Sequence, residues 1–134
     1  MPYPPAWHPI HGDAGTASAA LTSPDGKFVG YMNLTPQQGH ETLANWPTFR
    51  VDHNHDEGDR HIRRLAAATN LAFPAGRGSC VKDQYVTGSG AHYIELACIV
   101  TGRRTTAVIV GAAPPSQWPR VGGDIARAIV GVGV

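Results

Sequence analysis

The densest group of metal-ligand side chains in this 134-residue chain lies in residues 52–61, which read Asp-His-Asn-His-Asp-Glu-Gly-Asp-Arg-His. In an extended loop His53 and His55 project to the same side, and Asp59 or His61 can add a third ligand. Three protein ligands with one open position describe a catalytic site for a divalent metal, such as that of a small metal-dependent hydrolase. The spacing matches neither the H-E-x-x-H motif nor an EF-hand. The composition is also typical of a polar loop exposed to water, and this second interpretation is favoured.

Cys80 and Cys98 are the only two cysteines, and neither belongs to a C-x-x-C motif. If the chain folds into a hairpin that is symmetric about Ser89, the two cysteines face each other at a Cα distance that suits a disulfide. The same register sets Asp83 opposite Glu95, which costs about 0.2–1 kcal/mol. A disulfide here contributes about 3 kcal/mol, so the disulfide register is predicted. The alternative is a pair of reduced, buried cysteines in an intracellular protein.

In the predicted register Asp83 and Glu95 form a facing pair of carboxylates. A cleft around such a pair would drive their proton affinities apart and allow acid–base chemistry. Alternatively, both acids are exposed and are kept apart by water or by Arg103 or Arg104 of the next strand. No nucleophile elbow and no phosphate-binding loop accompany the pair. We therefore assign no catalytic residue and expect no cofactor.

Aromatic side chains offer a further type of site, because Trp and Tyr combine an apolar ring with a polar group. Such residues are frequent at surfaces that bind ligands and protein partners. At strand or helix spacing they more often belong to the core. The candidate ligand-binding residues are Trp46, Tyr85, Tyr93, Asp83 and Glu95.

The elements that would position these residues begin at residues 1–15, which contain four prolines and are predicted as an extended arm of irregular coil. Residues 16–22 and 27–34 flank Pro24-Asp25-Gly26, and this pattern predicts a hairpin with a tight turn. The second strand has apolar residues on both faces, so it should lie inside a sheet.

A helix is predicted to begin at Thr35, with Pro36 at its first position and Gln38 completing a capping box. Pro47 should kink or restart this helix. Residues 52–59 are predicted as a loop. Residues 60–70 favour a short helix, although His61-Ile62-Arg63 can instead open a strand.

Three strand-like segments follow at residues 79–87, 92–101 and 105–113, and the short connections between them predict an antiparallel meander. The apolar residues after Trp118 recur every three or four positions, which predicts a closing helix packed on the sheet. Hairpin, helices, meander and helix together predict an α+β fold with an antiparallel sheet. Residues 1–134 should form a single globular domain, since nothing in the sequence resembles a linker.

Eleven basic and ten acidic residues leave a net charge of +1, so the electrostatic pattern of a nucleic-acid-binding protein is missing. The longest apolar segments fall short of the roughly 20 residues that a membrane-spanning helix needs. The first residues have no signal-peptide pattern. A disulfide would nevertheless indicate an oxidising compartment.

Three segments, GYMNLTP at residues 30–36, GSCVKDQY at 78–85 and YIELACIV at 93–100, follow one another in the predicted order of elements. With this order, they resemble the PsbP-like superfamily of small exported α/β/α domains, which is found in many bacterial proteins and lipoproteins. The resemblance implies a fold and an accessory, ligand-binding or protein-binding role, and it carries over no catalytic residues.

The sequence as a whole predicts a non-enzymatic, extracytoplasmic or secreted domain that binds a small molecule or a protein. The domain should be a monomer or a weak dimer, with no nucleic-acid partner and no membrane span. The alternatives are the small metal-dependent hydrolase built on His53, His55 and Asp59, and a cytoplasmic adaptor with reduced cysteines.

Overall fold

The computed structural model describes residues 8–10, 17–22, 28–37 and 39–132. Within these residues, seven strands form one antiparallel sheet in the order β1-β2-β3-β7-β6-β5-β4. The elements are β1 His8–Ile10, β2 Ala17–Thr22, β3 Phe28–Pro36, α1 Trp46–Asp56, β4 Arg60–Phe73, β5 Gly76–Val86, β6 His92–Thr101, β7 Thr106–Ala113 and α2 Trp118–Val130.

The predicted hairpin is confirmed by the antiparallel pairing of β2 with β3, while its turn at residues 23–27 lies outside the described residues. β3 lies between β2 and β7, as its apolar residues on both faces predicted. The prediction of an irregular arm is wrong for His8–Ile10, which pairs with β2 as β1. The other arm residues lie outside the described part of the chain.

The helix predicted from Thr35 is wrong. Thr35 and Pro36 extend β3 and lie opposite Val108 and Ala107 of β7, so the capping pattern is overridden by sheet pairing. Helix α1 begins at Trp46, in agreement with the predicted restart of a helix at Pro47, and Pro47 occupies its first turn. A proline is tolerated there because the first N–H groups of a helix have no partner inside it.

The loop predicted at residues 52–59 is also wrong, because α1 continues to Asp56 and only three residues separate it from β4. The loop was predicted because residues 52–59 are nearly all polar, but a polar composition does not exclude a helix. Asn54 is 1% exposed and donates a hydrogen bond to Glu95, so a polar residue holds this helix on the sheet. Helices in proteins are stabilised mainly by such tertiary contacts.

The short helix predicted at residues 60–70 is a strand, β4, which pairs with β5 at the edge of the sheet. The alternative of a strand at His61-Ile62-Arg63 is therefore confirmed. Three irregularities interrupt the register of β4 with β5, and His61 and Asn70 have positive φ angles of 53° and 54°. Bulges of this kind are common at sheet edges.

The predicted meander is confirmed by β5, β6 and β7. Cys80 lies opposite Cys98 in the β5–β6 ladder, and the two form a disulfide with a Cα–Cα distance of 4.1 Å. Asp83 lies opposite Glu95 in the same register, as the symmetry about Ser89 predicted.

The two helices pack on opposite faces of the sheet, so the described part of the chain forms three layers. Alternating residues of each strand point to one helix or the other. The face under α2 has an apolar core that includes Met32, Cys98, Val100, Ile109 and Ile125. The face under α1 has a smaller apolar core of Trp46, Val81, Ala97, Ile99, Val108 and Val110. The predicted α+β class and the closing helix are confirmed.

Gly111 of β7 allows α2 to approach the sheet closely. A Cβ atom at this position would overlap Cγ2 of Ile125, which is fully buried. Within the described residues, no helix has the length and apolar character needed to cross a membrane.

Candidate functional site

A buried carboxylate, Glu95, joins α1 to the sheet. Its side chain is 1% exposed and accepts hydrogen bonds from Arg50 Nε and Nη2, both at 2.9 Å. Asn54 Nδ2 donates to the same carboxylate at 3.2 Å, and the Tyr85 hydroxyl donates at 3.1 Å. Arg50 and Asn54 lie four residues apart on one side of α1, while Tyr85 comes from β5. This group of four side chains is called the Glu95 cluster below.

Charge balance explains the protonation states in the Glu95 cluster. Burial raises the pKa of Glu95, but hydrogen bonds and the charge of Arg50 outweigh burial and hold that pKa below its ordinary value. Burial lowers the pKa of Arg50, but the carboxylate of Glu95 more than offsets this and raises it. Burial and the negative charge of Glu95 raise the pKa of Tyr85. The cluster therefore contains one ion pair and a neutral tyrosine at physiological pH.

Asp83 is the second buried carboxylate under α1. It is 0% exposed, and neither of its oxygens has a hydrogen-bond partner in the described part of the chain. Burial and the charge of Glu95 raise the pKa of Asp83 to about 6, although Arg64 and Arg50 act in the opposite direction. A buried carboxylate without partners is costly when it is ionised. When it is ionised, Asp83 therefore destabilises the packing of α1 on the sheet.

The two carboxylates face each other as predicted, but their surroundings differ from the expected ones. The alternative of two exposed acids is wrong, since both are buried. The arginine that balances the pair is Arg50 of α1 rather than Arg103 or Arg104. The four-residue spacing of Arg50 and Asn54 is a helical signal, and assigning residues 52–59 to a loop concealed it.

The predicted aromatic residues have different environments. Trp46 is 1% exposed, and its indole N–H donates to the backbone oxygen of Ala97 at 2.9 Å. Tyr93 contacts the rings of Tyr31 and Tyr85, with centroids 6.3 and 6.2 Å apart. Trp46 therefore anchors α1 in the core, and the tyrosines continue the Glu95 cluster along the sheet.

A groove of about 440 Å³ runs between α1 and strands β3 and β7. Its walls combine aromatic rings, amide and hydroxyl groups, and charged side chains. The residues from β3, β7 and the segment before α1 are Tyr31, Asn33, Thr35, Pro36, Gly39, Glu41, Val108 and Val110, and those from α1 and its end are Trp46, Phe49, Arg50, His53 and Glu57.

Arg50 connects the groove to the Glu95 cluster. Two guanidinium nitrogens bond Glu95, and the third, Nη1, takes no part in that ion pair. Because Glu95 fixes the guanidinium plane, Arg50 has a defined orientation where it lines the groove. Burial, followed by the charge of Glu95, raises the pKa of Tyr31 to about 12, so this neighbouring hydroxyl stays neutral.

The proposed metal ligands are not brought together. His53 and His55 lie two positions apart in α1, and a rotation of about 100° per residue directs them to different sides of the helix. His53 Nε2 lies 3.0 Å from Glu57 Oε1, while Asp59 follows the end of the helix. In the part of the chain that the structure describes, no three His, Cys, Asp or Glu side chains form a group that could hold a metal ion.

The fold and the groove describe a small three-layer α/β/α domain with a ligand-sized cleft on one sheet face. No protein-family model matches the chain, and no curated protein matches it. Solved structures match its fold at 13–14% sequence identity.

One similar structure is PA94 from Pseudomonas aeruginosa, a protein of unknown function for which a regulatory role has been suggested. It has a TM-score of 0.68 and 13% identity, over 98% of this chain and 88% of PA94. LpqN of Mycobacterium tuberculosis, involved in cell envelope biogenesis, has a TM-score of 0.53 and 13% identity, over 96% of this chain and 78% of LpqN. A protein from Bacteroides thetaiotaomicron VPI-5482 has a TM-score of 0.50 and 14% identity, over 97% of this chain and 41% of that protein. At these identities the matches show a shared fold.

Proposed function

We propose that residues 1–134 form a single, non-enzymatic, extracytoplasmic domain that binds a small ligand or a protein segment in the groove between α1 and the sheet. The observation that carries the proposal is the groove itself. Its volume of about 440 Å³ lies within the roughly 300–1,000 Å³ that is typical of ligand-binding sites. Its walls also combine aromatic rings with polar groups, and placed polar groups can fix the orientation of a ligand.

The chemistry of the buried carboxylates supports binding rather than catalysis. Glu95 already accepts four hydrogen bonds, so its carboxylate is committed to holding α1. Asp83 lies beneath α1 and has no exposed surface. A general acid or base must come within hydrogen-bonding distance of its substrate, and neither carboxylate lines the groove.

Two observations support a location outside the cytoplasm. The Cys80–Cys98 disulfide is of a type that persists in oxidising compartments. LpqN, which shares the fold, takes part in cell envelope biogenesis. Both agree with membership of the PsbP-like domains, which we propose on the basis of the fold.

A photoreactive amino acid placed at position 35 tests the groove. Thr35 lines the groove from β3, so a ligand bound there should be captured on irradiation in the native host. The matched control carries the same amino acid at Asp124 of α2, on the opposite face of the sheet. We expect one adduct from position 35 that is missing from position 124.

A second variant links the adduct to the groove. Asn33→Trp fills the groove from β3 and should abolish the adduct at position 35 while the circular dichroism spectrum is unchanged. The proposal is contradicted if position 35 gives no adduct, or if both positions give the same products.

A further inference from the structure

The irregular register of β4 places two arginines on one face of the sheet. Strict alternation along a strand would direct Arg60 and Arg63 to opposite faces, because they are three residues apart. They pair, however, with Val86 and Gln84, which are two residues apart on β5, so β4 has one extra residue between them. His61, with its positive φ angle of 53°, lies in this bulge. A bulge can re-aim a side chain, and this one brings both arginines to the same side.

That side is the face on which α2 packs. Lys82 lies on the same face of β5, and its ammonium is 5.7 Å from the centroid of the Trp118 ring of α2. Leu96, opposite Lys82 on β6, packs against the apolar core under α2. Arg60, Arg63 and Lys82 therefore lie in three successive rows of one face, with about 7 Å between rows. These three residues are called the basic face below.

The charges of the basic face are not neutralised. In the described part of the chain, none of the three side chains forms an ion pair. Arg60 donates to the backbone oxygen of Thr87 and Lys82 faces an aromatic ring, so both of these partners are uncharged. Asp59 precedes Arg60, but its pKa is raised, first by burial and then by Glu95 of the α1 face. A carboxylate paired with the basic face would have a lowered pKa instead.

Helix α2 leaves the basic face open to a narrow partner. It packs mainly on β7 and β6, while Arg60 and Arg63 are exposed on the edge strand β4. A helix with its side chains is about 10 Å across, so α2 forms a wall beside a shelf that ends at β4. A planar membrane surface would meet α2 before it reached this shelf. An extended chain fits on it, and alternate residues of such a chain are about 7 Å apart, like the rows of the basic face.

We propose that the basic face is a second binding surface, which takes an extended acidic segment of a partner protein with aspartate or glutamate at alternate positions. Two carboxylates of the segment pair with Arg60 and Arg63, and Lys82 attracts a third. The surface lies on the other face of the sheet from the groove between α1 and strands β3 and β7, so it is a binding site in addition to the proposed function.

A displayed library of random peptides tests the proposal. The library is selected on the intact wild-type chain and depleted on Ala66→Trp. Ala66 is exposed opposite Lys82, so the indole covers the basic face without changing its charge. We expect the peptides that remain to carry acidic residues two positions apart. Ala67→Trp is the matched control, because Ala67 is also exposed but lies opposite Val81 on the other face; it should bind these peptides like the wild type.

Charge reversal then tests the ion pairs. Arg63→Glu should weaken the binding of a selected peptide about five- to tenfold, since an exposed ion pair is lost and replaced by repulsion. A peptide with lysine in place of one acidic residue should recover affinity for Arg63→Glu. Arg104→Glu changes the net charge equally at an exposed position in the connection between β6 and β7, and it should change affinity less than twofold.

Three results of these experiments overturn the proposal: no peptide that Ala66→Trp removes, selected peptides without acidic residues, or peptides indifferent to Arg63→Glu. Vesicles of phosphatidylglycerol and phosphatidylcholine that bind the wild type but not Arg63→Glu would also overturn it, because the occupant is then a lipid surface. The groove is tested separately. Asn33→Trp should bind the selected peptides like the wild type, and the adduct at position 35 decides whether the groove itself is a binding site.

Discussion

Asp83 and Glu95 face each other at one register position of β5 and β6, yet their hydrogen-bonding environments are opposite. Glu95 receives donors from Arg50, Asn54 and Tyr85, while Asp83 has no hydrogen-bond partner among the described residues. One carboxylate therefore stabilises the packing of α1 as an anion, and the other opposes it.

Replacing Asp83 with asparagine should stabilise the protein near neutral pH. The raised pKa of about 6 means that ionised Asp83 costs folding free energy at pH 7.5. Asp83→Asn removes this charge, and we expect a gain of about 2 kcal/mol in the free energy of unfolding. Urea denaturation followed by tryptophan fluorescence measures the change. Asp52→Asn, at an exposed position of α1, should change stability by less than about 0.5 kcal/mol.

The pH dependence of stability provides a separate prediction for the wild-type chain. A pKa raised in the folded state means that the folded protein binds the proton more tightly, so stability falls as the pH rises from about 4 through about 6. The wild type should be about 1 kcal/mol more stable at pH 5 than at pH 7.5 on account of Asp83. Asp83→Asn should lack this difference. Equal slopes for the two proteins over this range would show that Asp83 titrates normally.

Removing the charge of Glu95 should have the opposite effect. Glu95→Gln leaves the buried guanidinium of Arg50 without a counter-ion, and we expect a loss of about 3 kcal/mol. Arg50→Met should cost a similar amount, because Glu95 then remains unpaired. The double variant Arg50→Met/Glu95→Gln should lose less than the sum of the two single changes. Additive losses would contradict a direct pairing.

Because the pKa of Glu95 is lowered in the folded protein, the contribution of its ionised carboxylate to the free energy of unfolding should disappear as the pH falls below about 4.5.

Sequence reasoning predicted the parts of the fold that depend on local signals. Pro24-Asp25-Gly26 marked the hairpin, and the symmetry about Ser89 set Cys80 opposite Cys98 and Asp83 opposite Glu95. A helix restarting at Pro47 was predicted, but the extent of α1 to Asp56 was missed because its docking depends on contacts far along the chain. Arg50 and Glu95 are 45 residues apart in the sequence, so no local sequence pattern predicts their ion pair.

Strand β4 was missed for a related reason. Its alanine-rich sequence favours a helix intrinsically, but the ladder with β5 determines its conformation. The candidate site was therefore predicted only in part. The facing carboxylates were predicted from the register of β5 and β6. The groove could not be predicted, because one of its walls is α1 and the position of α1 on the sheet was not known from the sequence.

The contact between Gly111 and Ile125 can be tested by adding a single methyl group. Gly111→Ala places a Cβ atom where Cγ2 of Ile125 lies, so α2 must move away from β7. We expect a loss of about 1–3 kcal/mol, as is usual for overpacked cores. Ile125→Ala removes the overlapping atom, so the double variant should be more stable than the sum of the single losses predicts. Losses that simply add would show that the two residues do not limit the approach of α2.

The Cys80–Cys98 disulfide makes a prediction about both stability and location. The bond joins residues 18 positions apart, and a loop of this size contributes about 3 kcal/mol in the chain-entropy account. Cys80→Ser/Cys98→Ser should therefore lower the free energy of unfolding by about that amount, with the sheet register retained. Protein from the native host, with thiols blocked at lysis, should take up no alkylating reagent before reduction and two equivalents after it. Uptake of two equivalents before reduction would contradict the bond in the host and would place the chain in a reducing compartment.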